Sequence, residues 1–453
     1  MKLTVVILAA GKGTRMRSDL PKVVHAVAGR PMLAHVVDTA RSLKPDSIIV
    51  VYGHGGDAVK QIIVDEDIVW VEQVEQLGTG HAVAQALPHI DDDSMMLVLY
   101  GDVPLIRTQT LDELLQMSNN SSITLLSCEV EDPDGYGRII RNSDDKIIAI
   151  VEQKDASLEQ LSIEEINTGI MIVPAKYFCS AYPRIDAANT QQEYYLTDII
   201  ALAVSDGVTV SAVVSDDEEE ILGVNDRMQL AMVERYYQER VAWQLMADGA
   251  TLIDPSRVDI RGEISIAEDV VIDVNVVFEG NVSLGNGVHI GPNCVIKNSI
   301  IAANTYIDSH CVIDNATIGE QCNVGPYARL RPGTVLKDKA KIGNFVETKN
   351  AEIGLGSKVN HLSYIGDAEL GGNVNIGAGT ITCNYDGANK HKTIIDDDVF
   401  VGSNTALVAP VKIGKGATIG AGSTINKNAP DGELTLTRVK QSTLSGWQRP
   451  KKK

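Results

Sequence analysis

Residues 260–296 read IRGEISIAEDVVIDVNVVFEGNVSLGNGVHIGPNCVI, with an apolar side chain at every sixth position. A helix repeats near 3.6 residues and a half-buried strand near 2, so neither structure explains this spacing. A coil of short parallel strands does, because each flat face takes six residues and turns one apolar side chain inward. The repeating positions are Ile260, Ile266, Ile272, Phe278, Leu284, Ile290 and Ile296.

The same spacing resumes twice further along the chain. The first series is Ile318, Val324, Leu330, Leu336 and Ile342, and the second is Ile395, Val401, Leu407, Ile413, Ile419 and Ile425. Glycine directly follows several of these residues, including Ile290, Ile342 and Val401. Glycine reaches the positive φ of a tight corner without a steric penalty. We predict a parallel β-helix with three hexapeptides per turn over about residues 250–430.

The six-residue spacing is interrupted at two places. Between Ile342 and Ile353 the interval is eleven, with polar Thr348 at the sixth place. Between Ile376 and Ile395 the interval is nineteen, one more than three units. Polar residues lie at both interruptions: Glu347 and Lys349 at the first, and Asn384, Tyr385 and Lys390 at the second. Because the regular coil is only a scaffold, the interruptions predict where a functional site lies.

The first half of the chain has the pattern of a Rossmann-like α/β domain. Buried strands are predicted at Leu3–Ala10, Ser47–Tyr52 and Met95–Tyr100, and helices at Pro31–Leu43 and Gly78–Leu87. This alternation implies a parallel sheet covered on both faces. Ligands bind such sheets at the carboxyl ends of the strands, where residues 11–17 and 101–102 fall. A long helix is predicted to follow, over residues 227–249.

Composition narrows the class of protein. The chain has 453 residues, more than a domain with one hydrophobic core usually contains, so at least two domains are expected. A net charge of -20 argues against binding nucleic acid. The six cysteines include no C-x-x-C pair, and we expect them to be small core residues of a reducing compartment. Residues 3–10 are too short to span a membrane, so a cytoplasmic protein is expected. The acidic run 216–220 is interpreted as a solvated loop.

A glycine-rich loop follows the first predicted strand, in residues 8–22, LAAGKGTRMRSDLPK. Gly11 and Gly13 let backbone N–H groups point at phosphate oxygens, and Arg15 and Lys22 add fixed positive charge. The loop is neither the dinucleotide G-x-G-x-x-G nor a Walker A loop. It resembles the signature of sugar-nucleotide pyrophosphorylases, G-x-G-T-R-M followed closely by P-K.

The resemblance extends over essentially the whole chain. It continues through Gln73, Gln76–Thr79, Tyr100–Asp102, Gly137, Glu152, Asn167–Gly169 and Asn225 and into the hexapeptide half. The chain is similar to a family of bifunctional bacterial enzymes, glucosamine-1-phosphate N-acetyltransferase and N-acetylglucosamine-1-phosphate uridyltransferase in one. These enzymes supply UDP-N-acetylglucosamine for peptidoglycan and lipopolysaccharide. The resemblance implies a pyrophosphorylase domain at 1–226, a helical linker at 227–249, and a left-handed β-helix acetyltransferase domain at 250–453 that forms a homotrimer.

For the first domain, the resemblance implies uridyl transfer from UTP with Mg²⁺. Asp102 and Asn225 would bind the Mg²⁺, which prefers oxygen ligands. Lys22 and Arg15 would stabilise the α-phosphate and the departing pyrophosphate. The remaining nucleotide and sugar contacts would be Leu8, Ala9, Ala10, Gly11, Gln73, Gly78, Thr79, Tyr100, Gly101, Gly137, Glu152 and Asn167. Asp102 after a strand could also be a helix cap, and Glu152 a surface acid.

For the second domain, the resemblance implies acetyl transfer from acetyl-CoA to an amino sugar. His361, two residues beyond Val359, should point inward or toward a corner. It would be the general base, and Glu347 would orient it or stabilise its charge. The sugar phosphate would be bound by Arg331, Lys349, Tyr364, Asn375 and Lys390. Acetyl-CoA would contact Ala378, Asn384, Tyr385, Ser403, Ala421 and Arg438. A lone histidine is more often structural, and Ala378 and Ala421 could equally be close-packed coil residues.

Two alternatives remain open at this point. A single-activity pyrophosphorylase with an assembly-only β-helix predicts a coil poor in polar residues, whereas His361, Lys349 and Asn384 lie within one stretch. A non-catalytic scaffold gives no reason for Gly11 and Lys22 to occur in one chain. The favoured interpretation involves small-molecule substrates only. We therefore expect neither a nucleic-acid partner nor a membrane span.

Overall fold

The computed structural model describes residues 2–11, 13–53, 55–63, 67–450 and 452. The chain divides into two compact units, Met1–Tyr237 and Gln238–Lys453. The division lies inside the segment predicted as the linker. None of the helices in the described residues has the length and apolar character needed to cross a bilayer.

The first unit is built on a mixed nine-stranded sheet. Its strands, with a separate two-stranded ribbon, are β1 (Lys2–Ala9), β2 (Ala26–Val27), β3 (Arg30–Pro31), β4 (Ser47–Tyr52), β5 (Ile68–Glu72), β6 (Ser94–Tyr100), β7 (Ser122–Glu129), β8 (Gly137–Arg141), β9 (Ile147–Val151), β10 (Glu165–Pro174) and β11 (Thr209–Ser215). The order in the main sheet is β11-β7-β10-β6-β1-β4-β5, and the hairpin β8–β9 pairs through β8 with β10.

The sheet is covered on both faces, as predicted. Successive residues of β1 enter opposite hydrophobic clusters, with Val5 and Ile7 in one and Val6 and Leu8 in the other. Strands β1, β4, β5 and β6 are parallel, but β10 is antiparallel to both β6 and β7. The three strands predicted to be parallel, β1, β4 and β6, are therefore parallel. The antiparallel β10 was not predicted, because the periodicity argument covered only the chain up to Tyr100.

The helices of the chain flank this sheet or lie between the units in sequence. They are α1 (Met32–Ser42), α2 (Gly56–Ile62), α3 (Thr79–Ala86), α4 (Thr108–Met117), α5 (Leu158–Leu161), α6 (Ala175–Ala181), α7 (Asp198–Ser205) and α8 (Arg227–Ala247). Short 3-10 turns occupy Thr14–Met16, Lys22–Val24, Leu87–His89, Tyr182–Arg184 and Pro255–Arg257. Helix α8 is the predicted long helix, and it ends slightly earlier than expected, at Ala247.

Two expectations about polar and small residues need correction. The acidic run is not simply solvated: Glu220 is 2% exposed and accepts hydrogen bonds from the hydroxyls of Thr110 and Ser215. Four of the six free cysteines are buried, whereas Cys179 is exposed and Cys383 is half-buried. A run of charged residues and a cysteine count describe only the composition of the chain. Whether a particular side chain is buried depends on its neighbours in the folded structure.

The second unit is a coil of short parallel strands. They are β12 (Thr251–Leu252), β13 (Val258–Ile266), β14 (Val271–Ile272), β15 (Val276–Leu284), β16 (His289–Ile290), β17 (Val295–Lys297), β18 (Ile300–Ile301), β19 (Tyr306–Ile307), β20 (Val312–Asp314), β21 (Ala316–Ile318), β22 (Asn323–Val324), β23 (Arg329–Leu330), β24 (Thr334–Leu336), β25 (Lys341–Asn344), β26 (Glu347–Ile353), β27 (Lys358–His361), β28 (Tyr364–Leu370), β29 (Asn375–Ile376), β30 (Ile381–Cys383), β31 (Thr393–Ile395), β32 (Phe400–Val401), β33 (Ala406–Val408), β34 (Val411–Ile413), β35 (Thr418–Ile419), β36 (Thr424–Ile425) and β37 (Leu434–Thr435).

The coil confirms the β-helix and its inward residues. Ile272 pairs with Ile290 and Ile290 with Ile307, so one coil corresponds to three hexapeptides, shortened in places by one position. All the predicted inward residues are at most 2% exposed except Ile266, which is partly buried at the first coil. Many hexapeptides also bury a smaller side chain two positions earlier, such as Val288 or Cys311. This second position was not predicted, because it varies between apolar residues such as Val288 and polar ones such as Thr305 and Ser357 and so gives no constant hydropathy period.

The end of α8 belongs to this unit and covers the first coil. Ala242 and Leu245 are buried in the same hydrophobic cluster as the coil. The Gln238 side chain donates to the carbonyl of Ile260 at 2.8 Å and accepts from its N–H at 2.7 Å. This amide therefore pairs with backbone groups of the first coil, which would otherwise be buried without partners.

One coil is much longer than the others. Ile376 pairs with Val359 before it at the ordinary spacing, but its partner on the next coil is Val401. The extra length is the loop 384–391, closed by a hydrogen bond from the N–H of His391 to the carbonyl of Asn384 at 2.8 Å. We call this segment the 384–391 loop. The following coil returns to the ordinary register, so the second predicted interruption is an outward loop.

The first prediction concerns neighbouring isoleucines of β31. Ile395 is 1% exposed and Ile394 is 36% exposed. Replacing Ile395 by Ala should lower the free energy of unfolding of the β-helix by about 2–5 kcal/mol, because a cavity forms among the stacked side chains. The matched variant Ile394→Ala should cost much less. Guanidinium unfolding followed by circular dichroism measures both, and equal losses would contradict the inward assignment.

Candidate active sites

A cavity of about 430 Å³ opens at the carboxyl ends of β1 and β6. Ten of the predicted nucleotide-site residues line it: Leu8, Ala9, Ala10, Gly11, Lys22, Gln73, Gly78, Thr79, Tyr100 and Asp102. Val23, Gln76, Ala82 and Glu193 also line it and had no assigned role. Gln76 lies in the same sequence string as Gln73, which was a usable signal. Glu193 had no local signal, because a tertiary contact brings it to the cavity.

Three polar side chains meet at one edge of this cavity. The Lys22 ammonium contacts an oxygen of Asp102 and lies 3.3 Å from the amide oxygen of Asn225. Asn225 is held there from both sides: the N–H of Val224 donates to the carbonyl of Asp102, and the N–H of Asn225 donates to Gln229. A carboxylate and an amide oxygen thus converge on one cationic group. This donor set fits a hard divalent cation such as Mg²⁺.

The glycine-rich loop is shaped by its contact with Lys22. Gly13 has φ 57, and a β-carbon there would lie 2.7 Å from that of Lys22. A β-carbon at Gly11 would meet no atom within 4 Å, so this backbone is open to a ligand. Arg15 is exposed and does not line the cavity. Gly101 packs below the cavity, where a β-carbon would lie 3.1 Å from Leu33.

The opposite wall is fixed by pairing between two loops. The carbonyl of Tyr194 accepts from the N–H of Gly80, and the hydroxyl of Thr79 accepts from the N–H of Leu196 at 3.0 Å. Gly78 has φ 112, and a side chain there would collide with the backbone of Tyr194. The buried amide of Gln73 donates to the carbonyl of Gly78 at 3.1 Å. Hydrogen bonds and close backbone contacts between the two loops therefore hold this wall in place.

The three predicted sugar contacts come together beside this cavity. Gly137 on β8 pairs directly with Asn167 on β10. A β-carbon at Gly137 would lie 3.4 Å from a carboxylate oxygen of Glu152, so the glycine lets that side chain approach. Glu152 accepts a hydrogen bond from the hydroxyl of Thr197 at 2.9 Å. Glu152 is thus an anchored acid of the site and not a loose surface group.

Carboxylates crowd the region behind Glu152. Burial raises the pKa of Glu152, and the neighbouring carboxylates add to this while the Thr197 hydroxyl opposes it. Burial, followed by the charges of Asp186, Glu152 and Asp155, raises the pKa of Asp198 to about 6. Both carboxyl groups therefore lose their protons at a higher pH than freely exposed carboxyl groups do.

The second site follows one corner of the β-helix. Four predicted residues form a single column on consecutive coils: His361, Ala378, Ser403 and Ala421. Backbone hydrogen bonds link their coils. The N–H of Gly379 donates to the carbonyl of His361, the N–H of Asn404 to the carbonyl of Ala378, and the N–H of Gly422 to the carbonyl of Ser403. The guanidinium of Arg438 lies near the end of this column, 3.5 Å from where a β-carbon of Gly420 would be. Four of the six predicted acetyl-CoA contacts, Ala378, Ser403, Ala421 and Arg438, therefore lie along the same column as the histidine.

His361 is exposed at the corner, with its Nδ1 2.5 Å from the amide oxygen of Asn344. An amide oxygen only accepts, so this contact places the ring proton on Nδ1 and leaves the Nε2 lone pair free. Glu347, predicted to orient the histidine, instead pairs with Arg331 at 2.8 Å. Asn344, to which the sequence assigned no role, is therefore the residue that contacts the His361 ring. The strand register pairs Asn344 with His361 on the next coil, and this one-coil spacing was a usable signal.

Basic residues collect on the next face. The Lys390 ammonium, and after it the charge of Arg331, lowers the pKa of Lys349. Asp367 lies among them, and although burial opposes it, hydrogen bonds from Asn350 and Asn384 lower the pKa of Asp367. Neighbouring cations repel one another, so this cluster favours an anionic ligand.

The remaining predicted residues are placed as follows. Tyr364 is on the same face, with its hydroxyl folded over Gly366. Tyr385, on the 384–391 loop, is 61% exposed and pairs by a backbone bridge with Lys390. Asn375 lies on the other sheet, between Lys358 and Phe400, so within one chain it is separated from the basic cluster.

Comparisons with known proteins agree with both halves. Residues 5–194 match a MobA-like NTP transferase domain, residues 260–359 the GMPPB C-terminal domain, and residues 392–427 the bacterial transferase hexapeptide with six repeats. The bifunctional protein GlmU of Alcanivorax borkumensis is 59% identical over 452 residues, 100% of both chains. The GlmU proteins of Saccharophagus degradans and Nitrosospira multiformis are 56% and 55% identical, over 100% and 98% of their chains.

A nucleotidyltransferase site on an α/β sheet and a hexapeptide β-helix in the same chain define a bifunctional transferase. At these identities over the full length, the chain belongs to the GlmU family of bifunctional proteins. It is an enzyme of UDP-N-acetylglucosamine synthesis with uridyltransferase and acetyltransferase activities.

The second prediction tests the close approach of the glycine loop to Lys22. Gly13→Ala should reduce uridyl transfer by up to about 100-fold, because the new methyl group displaces the lysine. Gly207→Ala is the matched control: Gly207 has φ 77 but an added β-carbon meets nothing within 4 Å. It should bear the same backbone strain and keep its activity. Equal activity losses in both variants would contradict the steric explanation.

Proposed function

We propose that the first domain transfers uridylate from UTP to N-acetylglucosamine 1-phosphate, releasing pyrophosphate. Several negative charges meet in this reaction, so its main requirements are neutralisation and in-line positioning. Lys22, at the edge of the cavity, would stabilise the α-phosphate. Gln73, Gly78 and Thr79 form the wall that would hold the uracil. The convergence of Lys22 and Asp102 at the mouth of the cavity is the observation that supports this site most.

Mg²⁺ is proposed as the cofactor, bound by Asp102 and Asn225. Both side chains already point an oxygen at one cation, the Lys22 ammonium. The bound ion would neutralise phosphate charge and align the phosphate oxygens. Arg15 is exposed beside this region and could add charge only when the loop contacts a bound triphosphate.

The second domain is proposed to acetylate glucosamine 1-phosphate before that step, with acetyl-CoA as donor. The free Nε2 of His361 would accept a proton from the amine as the amine attacks the thioester carbonyl. The carbon–sulfur bond would then break, and the coenzyme A thiolate would take up a proton and leave as the thiol. The Nδ1 contact with Asn344 would keep the ring in the required tautomer. Arg331, Lys349 and Lys390 would bind the phosphate. The column of Ala378, Ser403 and Ala421 would receive the pantetheine, with Asn384, Tyr385 and Arg438 bordering it.

A homotrimer is proposed, in the cytoplasm. Asn375 is the sugar contact that one chain does not bring to the basic cluster, since it lies on the other sheet of the coil. A neighbouring copy could present its own Asn375 there. The side of the β-helix that carries Glu347 and Tyr364 in one chain would then face the side that carries Asn375 in the next chain.

The third prediction separates the two activities. His361→Gln should lower acetyl transfer by about 10²–10⁴-fold, because a general base is lost, and leave uridyl transfer unchanged. Asp102→Asn should lower Mg²⁺-dependent uridyl transfer by at least about 10²-fold and leave acetyl transfer unchanged. Thiol release from acetyl-CoA and pyrophosphate release measure the two steps.

The control for the histidine is His289→Gln. His289 points outward on the same β-helix and stacks on Tyr306, away from the column. It should retain both activities. Full acetyl transfer in His361→Gln would refute the base assignment, and loss of both activities in either site variant would indicate a folding defect.

A further inference from the structure

One arginine of the first unit is enclosed and has no part in the chemistry described above. Arg138 on β8 is 1% exposed. Its guanidinium donates to the carbonyls of Tyr136 and, at 3.5 Å, Leu161, while its Nε has no hydrogen-bond partner. Among the described residues it forms no ion pair with a carboxylate. By contrast, Arg141 on the same strand binds both carboxylate oxygens of Glu165 at 2.8 Å.

This arrangement is unfavourable for stability alone. A buried cation loses its hydration, and two carbonyl groups compensate less than a carboxylate would. An apolar side chain of similar volume would fill the same space without that cost. The contacts that Arg138 makes therefore indicate a positional role for its guanidinium.

The position of Arg138 on β8 indicates which part of the structure its guanidinium holds in place. Gly137 pairs with Asn167 and faces Glu152, as the proposed sugar site requires. Side chains alternate along a strand, so Arg138 points to the opposite face of β8. It pairs there with Ile166 on one side and Val151 on the other. Arg138 thus lies directly behind the strand segment that carries the proposed sugar contacts.

The two carbonyl acceptors belong to the segments that border those contacts. Tyr136 is the residue before Gly137, at the end of the loop after β7. Leu161 is the last residue of α5, on the connection between Glu152 and Asn167. A planar guanidinium with two diverging N–H groups can hold both segments at a fixed separation, which an ammonium with its single nitrogen does less well.

We propose that Arg138 is a positioning residue for the sugar phosphate, acting through the backbone of Gly137 and the connection that follows Glu152. This inference rests on the proposed sugar site. It assigns Arg138 to the affinity for the sugar substrate and not to the nucleotide, since the walls built from Gln73, Gly78 and Thr79 do not depend on the guanidinium.

The test compares KM values for the two substrates. In Arg138→Met, the KM for N-acetylglucosamine 1-phosphate should rise roughly tenfold, with a small change in kcat and less than about a twofold change in the KM for UTP. Arg138→Lys keeps the charge but should retain most of this defect. Arg141→Met is the matched control on the same strand and should show no selective change. Acetyl transfer by the same preparations should be unaffected.

Chemical rescue separates positioning from a general loss of folding. Arg138→Ala leaves a guanidinium-sized space, so added guanidinium ion at non-denaturing concentrations should lower the raised KM for the sugar phosphate. Arg141→Ala should not respond. Unchanged KM for the sugar phosphate, parallel increases for both substrates, or absence of rescue in a folded variant would each overturn the proposal. A wild-type protein that fails to use N-acetylglucosamine 1-phosphate would instead refute the proposed function.

Discussion

The register between consecutive coils is the constraint on which the second unit depends. An inward residue of one coil pairs with the inward residue of the next, as Val324 does with Ile342 and Ile342 with Val359. A shift by a single position would turn that coil's aliphatic side chains to solvent. Each buried isoleucine contributes about 1.5–3 kcal/mol, so a slipped coil would lose several such contributions at once. Sequence changes are therefore tolerated on outward positions and at corners, which is where the proposed chemistry lies.

This constraint explains why so much of the fold could be predicted from sequence. A repeat imposes one spacing on many residues, and the period is visible without any knowledge of the tertiary structure. The strand Ser47–Tyr52 and the long helix from Arg227 were likewise set by local patterns. The antiparallel β10 and the burial of Glu220 were missed, because both depend on partners that are distant in the sequence. Long-range pairing leaves no local periodic signal.

The sites were predictable to a different extent. Residues on one loop or strand end, such as Gly11 and Lys22, were found because they share a short motif. Partners contributed by separate elements were harder to assign: Asn344 and not Glu347 contacts His361. Among the site residues, the glycines gave the information that applies most directly to other sequences. At Gly13 and Gly78 the structure shows a positive φ and a close neighbour together, a combination that accepts no other side chain without movement.

The 384–391 loop has a consequence for how such a coil can diversify. Without the segment 384–391, Ile376 and Val401 would be separated in sequence just as Ile290 and Ile307 are, which is the spacing of an ordinary coil. The loop is therefore an insertion into the repeat, and it replaces none of the inward positions. Its two ends are hydrogen-bonded to each other, and the following coil keeps the ordinary register, with Val401 paired to Ile419. In this architecture, the specificity of the surface can change through loops inserted at corners. The length of the β-helix changes through the addition of whole coils, so the two properties are independent.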